Sequence, residues 1–243
     1  MNVLELQAVQ THIAAYHILH GVDLAVPEGE VTMLLGRNGA GKTTTLRTVM
    51  GLWAASAGRI TFRGQAIHGR PTPEIAQAGI AYVPENMGIF GDLTVRENIV
   101  LAARSARHAG EIDGARLDWI FGFFPALKTF WSHPAGKLSG GQKQMLAVAR
   151  ALIEPRALIL IDEPSKGLAP AIVNNLINCL RELKAQRTTI LLVEQNFALA
   201  RALGDSVAVM DNGRVVHSGR MAALVDDEAL QQRLLGLSLA PHA

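Results

Sequence analysis

Short apolar runs separated by helical patterns recur along the chain. Val22, Leu24 and Val26 alternate with small or polar residues, which is the period of two that a half-buried strand shows. Further short runs also predict strands, at positions 31–35, 60–62, 80–83, 158–162 and 189–193. Because helical stretches flank most of these runs, the pattern predicts a mostly parallel sheet covered by helices.

The middle of the chain departs from this alternation. Between residues 86 and 156, no run has the pattern of a strand, and helical periodicity occupies 94–103, 117–124 and 140–153. Six aromatic residues also cluster here, at Trp119, Phe121, Phe123, Phe124, Phe130 and Trp131. Most are expected to form the core of this region. We therefore predict a helical subdomain at 86–156, inserted into an α/β core.

The whole chain, 1–243, is expected to form a single domain. Its α/β core comprises 1–85 and 157–236, and the last seven residues, 237–243, are expected to be a frayed tail. Within the core, residues 207–216 contain two short apolar runs around Asp211-Asn212-Gly213. That arrangement predicts a β-hairpin with a tight turn.

Composition narrows the class of protein. Apolar residues make up 49% of the chain and charged residues 18%, a balance that supports a sizeable core. The formal net charge is +2, and the basic residues are scattered, so nothing indicates a nucleic-acid partner. A single cysteine excludes an internal disulfide framework and a Cys-rich metal site. No apolar run approaches the roughly 20 residues that a membrane-spanning helix requires, and no signal-peptide pattern opens the sequence.

The most informative motif follows the run at 31–35. Residues 36–43 match GxxxxGK[ST], between a predicted strand and a predicted helix, as a phosphate-binding loop requires. Its glycines let backbone N–H groups turn toward phosphate oxygens. Lys42 can then reach the β and γ phosphates, and the Thr43 hydroxyl can bind Mg²⁺. The alternative is a glycine-rich turn that binds nothing. The predicted nucleotide-binding residues are Gly36, Arg37, Asn38, Gly39, Ala40, Gly41, Lys42, Thr43 and Thr44.

A second motif ends the apolar run at 158–162. Asp162 and Glu163 place two carboxylates at the end of a buried strand, where a charge requires a cation or water. We expect Asp162 to contribute to a Mg²⁺ site and Glu163 to polarise the water that attacks the γ phosphate. The alternative is a strand that ends at a solvated surface.

A third motif lies between the other two. Leu138-Ser139-Gly140-Gly141-Gln142 precedes a predicted helix. Ser139 suits the N-cap, and the two glycines leave backbone N–H groups open to an anion. Simple capping is the alternative.

In this order, the three motifs resemble those of the ATP-binding cassette (ABC) ATPases, over essentially the whole chain. The resemblance implies a P-loop NTPase (RecA-like) core with an antiparallel β subdomain and an inserted helical subdomain. It also implies ATP and Mg²⁺ as cofactors and a head-to-tail dimer. Each ATP would lie between one chain's phosphate loop and Ser139, Gly140, Gly141 and Gln142 of the other chain.

Further positions follow from the resemblance. Tyr16 corresponds to the aromatic residue that stacks on adenine, although a strand aromatic in the core is the alternative. Glu85, in VPE, stands where many relatives have a glutamine that senses the γ phosphate and Mg²⁺. Gln195, in VEQN, stands where most relatives have a switch histidine, although a helix cap is the alternative. Lys166 stands where an apolar residue is common in the family, and Ala169 stands where aspartate is common.

VPE, EPSxGLAP and VEQN together resemble the shorter ATPase of branched-chain amino acid importers. The resemblance implies a second ATPase subunit (identical or paralogous), two membrane permease subunits and a periplasmic solute-binding protein, at the cytoplasmic face of the membrane. The continuation Asn86-Met87 departs from that pattern. A urea or amide importer and a lipopolysaccharide-export ATPase remain alternatives in the same fold. A soluble ABC ATPase of cluster assembly is an alternative of another class.

Overall fold

The computed structural model describes residues 1–103 and 111–236. Its strands are β1 (Asn2–Ile13), β2 (Tyr16–Pro27), β3 (Val31–Gly36), β4 (Ala55–Phe62), β5 (Gln65–Ala66), β6 (Ile80–Val83), β7 (Leu158–Asp162), β8 (Ile190–Val193), β9 (Ser206–Asp211) and β10 (Arg214–Arg220). Its helices are α1 (Lys42–Val49), α2 (Thr72–Gln77), α3 (Val95–Ala102), α4 (Gly114–Phe123), α5 (Pro125–Thr129), α6 (Gly140–Leu152), α7 (Pro170–Ala185), α8 (Phe197–Leu203), α9 (Met221–Asp226) and α10 (Glu228–Leu235), with a 3₁₀ turn at Ala135–Lys137.

A six-stranded sheet in the order β10-β9-β3-β8-β7-β6 forms the centre of the fold. All neighbours pair in parallel except β9 and β10. Every residue of β3, β7 and β8 is buried, which is why these strands read as continuous apolar runs. The predicted parallel sheet and the predicted hairpin at 207–216 are confirmed. All parallel strands end at one edge, where the phosphate loop and Asp162 lie.

A second, antiparallel sheet has the order β2-β1-β4-β5. The sequence pattern does not predict its strand β1. Register shifts interrupt β1 between Leu6 and Val9, and Ala8 has a positive φ of 48°. Such bulges break the alternation of period two on which a strand prediction depends. One apolar cluster, which includes Leu34, Leu46 and Leu160, fills the space between the two sheets.

The other face of the parallel sheet packs against helices α3, α6, α7 and α8 in a second apolar cluster. In the described part of 86–156 there is no strand, and one isolated bridge joins Thr94 to Pro134. Of the six clustered aromatics, Phe124 is fully buried and the other five are partly buried against this cluster. The predicted helix at 117–124 begins earlier, at Gly114, and a new helix starts at Pro125. None of the described helices is both long and apolar enough to span a bilayer. The predicted tail at 237–243 lies outside the described residues.

Gly213, in the turn between β9 and β10, connects three parts of the fold. Its N–H donates to the carbonyl of Ala40 in the phosphate loop at 3.0 Å, and its carbonyl accepts from the N–H of His20 at 2.9 Å. Its φ is 72°, and a Cβ at this position would overlap the carbonyl oxygen of Ile18. Gly64 is a matched control, because its φ is 76° but a Cβ there would meet nothing within 4 Å.

We predict that Gly213→Ala destabilises the chain more than Gly64→Ala does. Both variants pay the left-handed backbone cost of about 1–2 kcal/mol. Gly213→Ala adds a steric overlap worth about 1–3 kcal/mol more. Urea unfolding of both variants measures the difference directly. Equal losses of unfolding free energy in the two variants would show that the close packing of Gly213 against Ile18 does not contribute to stability.

Candidate functional site

The phosphate loop leaves β3 at Gly36 and enters α1 at Lys42. Gly36 has a φ of 147°, and a Cβ there would overlap the carbonyl oxygen of Met210. Gly41 is the N-cap of α1 with a φ of 103°, and a Cβ there would lie 3.0 Å from the side chain of Leu19. Both positions therefore require glycine. The loop directs the N-terminus of an eight-residue helix toward the cavity described below, which favours an anion there.

Lys42 is held across the mouth of this loop. Its side chain is only 4% exposed, and its Nζ donates to the carbonyls of Gly36 at 2.9 Å and Arg37 at 3.0 Å. The same Nζ lies 3.4 Å from Oε1 of Glu163. The ammonium group is thus positioned by the loop and faces a carboxylate from β7.

Asp162 is fully buried at the end of β7. Its Oδ1 accepts from the Thr43 hydroxyl at 3.0 Å, and its Oδ2 accepts from the Tyr82 hydroxyl at 3.3 Å. Burial raises the pKa of Asp162 to about 6, the hydrogen bonds from Thr43 and Tyr82 oppose this shift, and the charges of Glu85 and Glu163 add to it. Burial, followed by the charge of Asp162, also raises the pKa of Tyr82 to about 12, so Tyr82 stays a hydrogen-bond donor.

Glu163 follows directly in a strained conformation. Its φ is 46°, a left-handed value that costs a residue with a Cβ about 1–3 kcal/mol. The backbone N–H of Glu163 donates to the carbonyl of Val193 at 3.0 Å, which holds this turn against β8. Backbone strain of this kind persists where the surrounding structure fixes it, commonly at functional sites.

Gln195 joins the phosphate loop to Glu163. Its Nε2 donates to Oδ1 of Asn38 at 2.6 Å and to Oε1 of Glu163 at 2.7 Å. The N-cap of α8 is the next residue, Asn196, whose side chain accepts from the N–H of Leu199. The alternative that Gln195 caps a helix away from the phosphate loop is therefore wrong.

Glu194, which no sequence motif indicates, fixes the loop that follows Glu163. It is buried, and its carboxylate accepts from the N–H and hydroxyl of Ser165 at 3.0 and 2.9 Å. Burial raises the pKa of Glu194, and the hydrogen bonds from Ser165, Asn196 and Gln195 oppose this shift. Asp162 pairs in register with Val193 of β8, and Glu194 is the next residue after Val193. Only the order of strands in the sheet therefore shows that Glu194 belongs to this site.

A cavity of about 340 Å³ brings eight of the predicted residues together. Its lining consists of Ile18, Asn38, Gly39, Gly41, Lys42, Thr43, Thr44, Glu85, Glu163 and Lys166. Ile18 and Lys166 were not predicted to belong to the site. The cavity contains one wall of backbone N–H groups and lysine, and one wall of carboxylates. That combination suits a polyphosphate bound together with a divalent cation.

Arg37, Ala40 and Tyr16 do not line this cavity. Arg37 lines a neighbouring cavity of about 230 Å³, together with Gly36 and Gln195. Ala40 is buried. Tyr16 is 74% exposed at the start of β2, so it is not a core aromatic, but it does not line the cavity either. Ile18, two residues further along the strand, does.

Ser139, Gly140, Gly141 and Gln142 also do not line the cavity. Ser139 and Gln142 form a capping box at the start of α6: the Ser139 N–H donates to the Gln142 side chain at 2.9 Å, and the Gln142 N–H donates to the Ser139 hydroxyl at 3.3 Å. Within one chain, these side chains therefore cap α6, and a contact with an anion stays a prediction.

The described residues contain no group of three or more His, Cys, Asp or Glu side chains that could hold a metal ion. A Mg²⁺ ion that arrives with a nucleotide needs fewer protein ligands, because phosphate oxygens and waters complete its octahedral shell. The Thr43 hydroxyl and the Asp162 carboxylate, 3.0 Å apart, are oxygen donors that fit this requirement.

Comparison with known proteins decides the family. The family model described as ABC transporter matches residues 19–166. The chain belongs to the ABC transporter family. It is an ATP-hydrolysing subunit, and the fold and family expected from the three motifs are confirmed.

Two relatives of this ABC transporter ATPase match over nearly their whole length. It is 37% identical to the high-affinity branched-chain amino acid transport ATP-binding protein BraG of Pseudomonas aeruginosa, over 96% of this chain and 100% of the relative. It is 34% identical to the probable branched-chain amino acid transport ATP-binding protein LivF of Archaeoglobus fulgidus, over 91% and 93%. A solved ATP-binding cassette of an ABC transporter in its ADP conformation superposes with a TM-score of 0.78 at 26% identity, over 98% of this chain and 100% of that one.

The raised pKa of Asp162 means that ionisation of this carboxyl group destabilises the folded chain. Between its ordinary pKa of 3.8 and about 6, the folded protein binds the proton more tightly than the unfolded chain does. The contribution of Asp162 to the free energy of unfolding is therefore most favourable below about pH 4, and it falls as the pH rises to about 6.

We predict that Asp162→Asn, in metal-free buffer, raises the free energy of unfolding by about 1–3 kcal/mol at pH 7.5 and changes it little at pH 4. Urea unfolding at the two pH values measures this. Asp226→Asn, at an exposed position on α9, is the control and should have no effect at either pH. An Asp162→Asn chain that is no more stable than the native chain at pH 7.5 would contradict the buried charge.

Proposed function

We propose that this ABC ATPase binds Mg²⁺-ATP in the cavity above the phosphate loop and hydrolyses it with Glu163 as general base. The observation that carries this proposal is the convergence of Lys42, Thr43, Asp162, Glu163 and Gln195 at one edge of the parallel sheet. Ion pairs and hydrogen bonds of 2.7–3.4 Å lie between them. In an α/β fold, the carboxyl edge of the strands is where ligands bind.

Each residue has a distinct proposed role. The N–H groups of the loop and Lys42 bind the β and γ phosphates, and Thr43 and Asp162 hold Mg²⁺, with Glu85 beside them. When bound, Mg²⁺ neutralises charge that develops on the phosphate oxygens. Glu163 orients the attacking water and accepts its proton.

Gln195 donates an amide N–H to the γ phosphate. Its Nε2 already contacts both Asn38 and Glu163, so the amide is within reach of the cavity. A glutamine amide cannot take up a proton and become cationic as a histidine does. Gln195 is therefore a neutral hydrogen-bond donor, and the proton from the attacking water stays with Glu163.

Tyr16 is proposed to stack on the adenine. Its ring is exposed, and Ile18, on the same strand, lines the phosphate cavity. The β2 strand thus runs from the phosphates toward an exposed aromatic ring, which offers a flat apolar face to a base.

A second ATPase subunit, identical or paralogous, completes the proposed site. Ser139, Gly140, Gly141 and Gln142 lie outside the cavity of their own chain, and a Cβ at Gly140 would meet nothing within 4 Å. This surface is open to a nucleotide held by another chain. The head-to-tail arrangement that the family resemblance implies places it there.

The proposed permease contact is a groove of about 730 Å³ between α2, α6 and the loop that follows Glu85. Its apolar lining includes Leu52, Trp53 and Met87, and Leu52 is half exposed. None of the six aromatics at 119–131 lines it. We propose that a cytoplasmic helix of a membrane permease fills this groove, which places the chain peripherally at the cytoplasmic face. Movement of such a helix would act on Glu85 through its neighbours in the chain, because Pro84, Asn86 and Met87 contribute to the groove wall.

We further propose that the transported solutes are branched-chain amino acids, delivered by a periplasmic solute-binding protein to two permeases. The names of BraG and LivF, at 37% and 34% identity over nearly the full length, support this choice. A urea or amide importer and a lipopolysaccharide-export ATPase use the same cassette and are the alternatives.

Uptake by cells tests the proposed solute. In the organism that encodes this chain, deletion of its gene should abolish high-affinity uptake of radiolabelled leucine, isoleucine and valine. The native gene should restore uptake and the Lys42→Ala gene should not, because loss of the phosphate-binding ammonium removes ATP binding. Undiminished leucine uptake, with loss of urea uptake or of surface lipopolysaccharide, would favour an alternative.

A further inference from the structure

Lys166 places a second ammonium group in the phosphate cavity. It ends the turn after Glu163, where its N–H donates to the carbonyl of Glu163 at 3.3 Å. Its Nζ lies 2.6 Å from Oε1 of Glu85 and 3.7 Å from Oε2 of Glu163. Its side chain lines the cavity together with Lys42 and Thr43. The proposed roles of the other residues do not use this lysine.

The charges at the cavity give Lys166 its significance. Glu85 and Glu163 line the cavity, and Asp162 lies behind it as the hydrogen-bond partner of Thr43. These three carboxylates are accompanied by two ammonium groups, from Lys42 and Lys166. The site is therefore net negative, although it must accept a polyphosphate anion. Lys42 is buried and held by two backbone carbonyls, whereas the side chain of Lys166 is 58% exposed. An exposed lysine on a flexible four-carbon stem can exchange one anionic partner for another.

We propose that Lys166 is a second phosphate-binding lysine of this site, and that its pair with Glu85 sets how strongly ATP binding depends on Mg²⁺. This inference rests on the proposed nucleotide site. The physical reason is that a fixed positive charge has opposite effects on the two ligands. It attracts the phosphates and repels the divalent cation.

Loss of the charge at position 166 should therefore weaken the binding of ATP in the absence of Mg²⁺. It should also make the affinity for ATP depend more strongly on Mg²⁺. Glu85 carries the opposite charge at 2.6 Å, so its removal should act in the opposite direction. Glu85→Gln frees the Lys166 ammonium and removes a carboxylate that repels phosphate. If Lys166 served only to fasten the loop that carries Glu85, both substitutions would break the same contact and have the same effect.

Equilibrium binding of ATP by calorimetry, in EDTA and in saturating Mg²⁺, tests the proposal. We expect Lys166→Met to weaken ATP binding in EDTA by about 3- to 10-fold and to change it less in Mg²⁺. Lys166→Arg, which keeps the charge, should retain the native ratio of the two dissociation constants. Glu85→Gln should tighten binding in EDTA.

Lys128→Met is the matched control, because Lys128 is an exposed lysine on α5 that pairs with Asp118 at 4.0 Å. It should leave both dissociation constants unchanged. An unaltered ratio in Lys166→Met would overturn the proposal. So would weaker binding in EDTA for both Lys166→Met and Glu85→Gln, since that result assigns Lys166 to loop structure alone. A native chain that binds no ATP even with Mg²⁺ would instead contradict the nucleotide site itself.

Discussion

The contact between the phosphate loop and the end of β7 is the interaction on which this site depends. The Thr43 hydroxyl meets Asp162 at 3.0 Å, and the Lys42 ammonium meets Glu163 at 3.4 Å, across 119 or more positions of sequence. The strand order β3-β8-β7 makes this possible, because it brings the ends of β3 and β7 to one edge with only β8 between them. A buried ion pair adds little to stability, since desolvation offsets most of its attraction. Its presence here is therefore better explained by chemistry than by folding.

The polar groups at this edge fall into two sets. Glu194 and Ser165 are tied to backbone and to each other, and they fix the loop that carries Glu163. Lys42, Gln195 and Lys166 also contact carboxylates, and these contacts can be exchanged for phosphate oxygens. Glu194 and Ser165 hold the loop in place, and this stabilises the strained backbone of Glu163. The loop after Glu85 lies between this edge and the proposed permease groove, so one short segment contacts both the cavity and the groove.

The sequence predicted those parts of the fold and site in which one physical pattern dominates. β3, β7 and β8 are buried on both faces, so their apolar runs are unmistakable, and the phosphate loop requires glycine at fixed positions. β1 was not predicted, because its bulge at Ala8 breaks the alternation. Arg37 was placed in the site by its motif; it lines the neighbouring cavity with Asn38 and Gln195, and its contact with a nucleotide stays a prediction. Tyr82 and Glu194 reach the site only through the order of strands in the sheet, which no local pattern encodes.

Glu163 is proposed as the base of a nucleotide site that a second chain completes, and one experiment tests this role. Sedimentation velocity and ATP turnover of Glu163→Gln, with Mg²⁺-ATP, test it most directly, with the exposed Glu228→Gln as the control. We expect Glu163→Gln to bind ATP, to lose about 100-fold or more in turnover and to accumulate as a dimer, while the control behaves as the native chain. A Glu163→Gln chain that stays monomeric with ATP and retains full turnover would contradict both the base and the shared site.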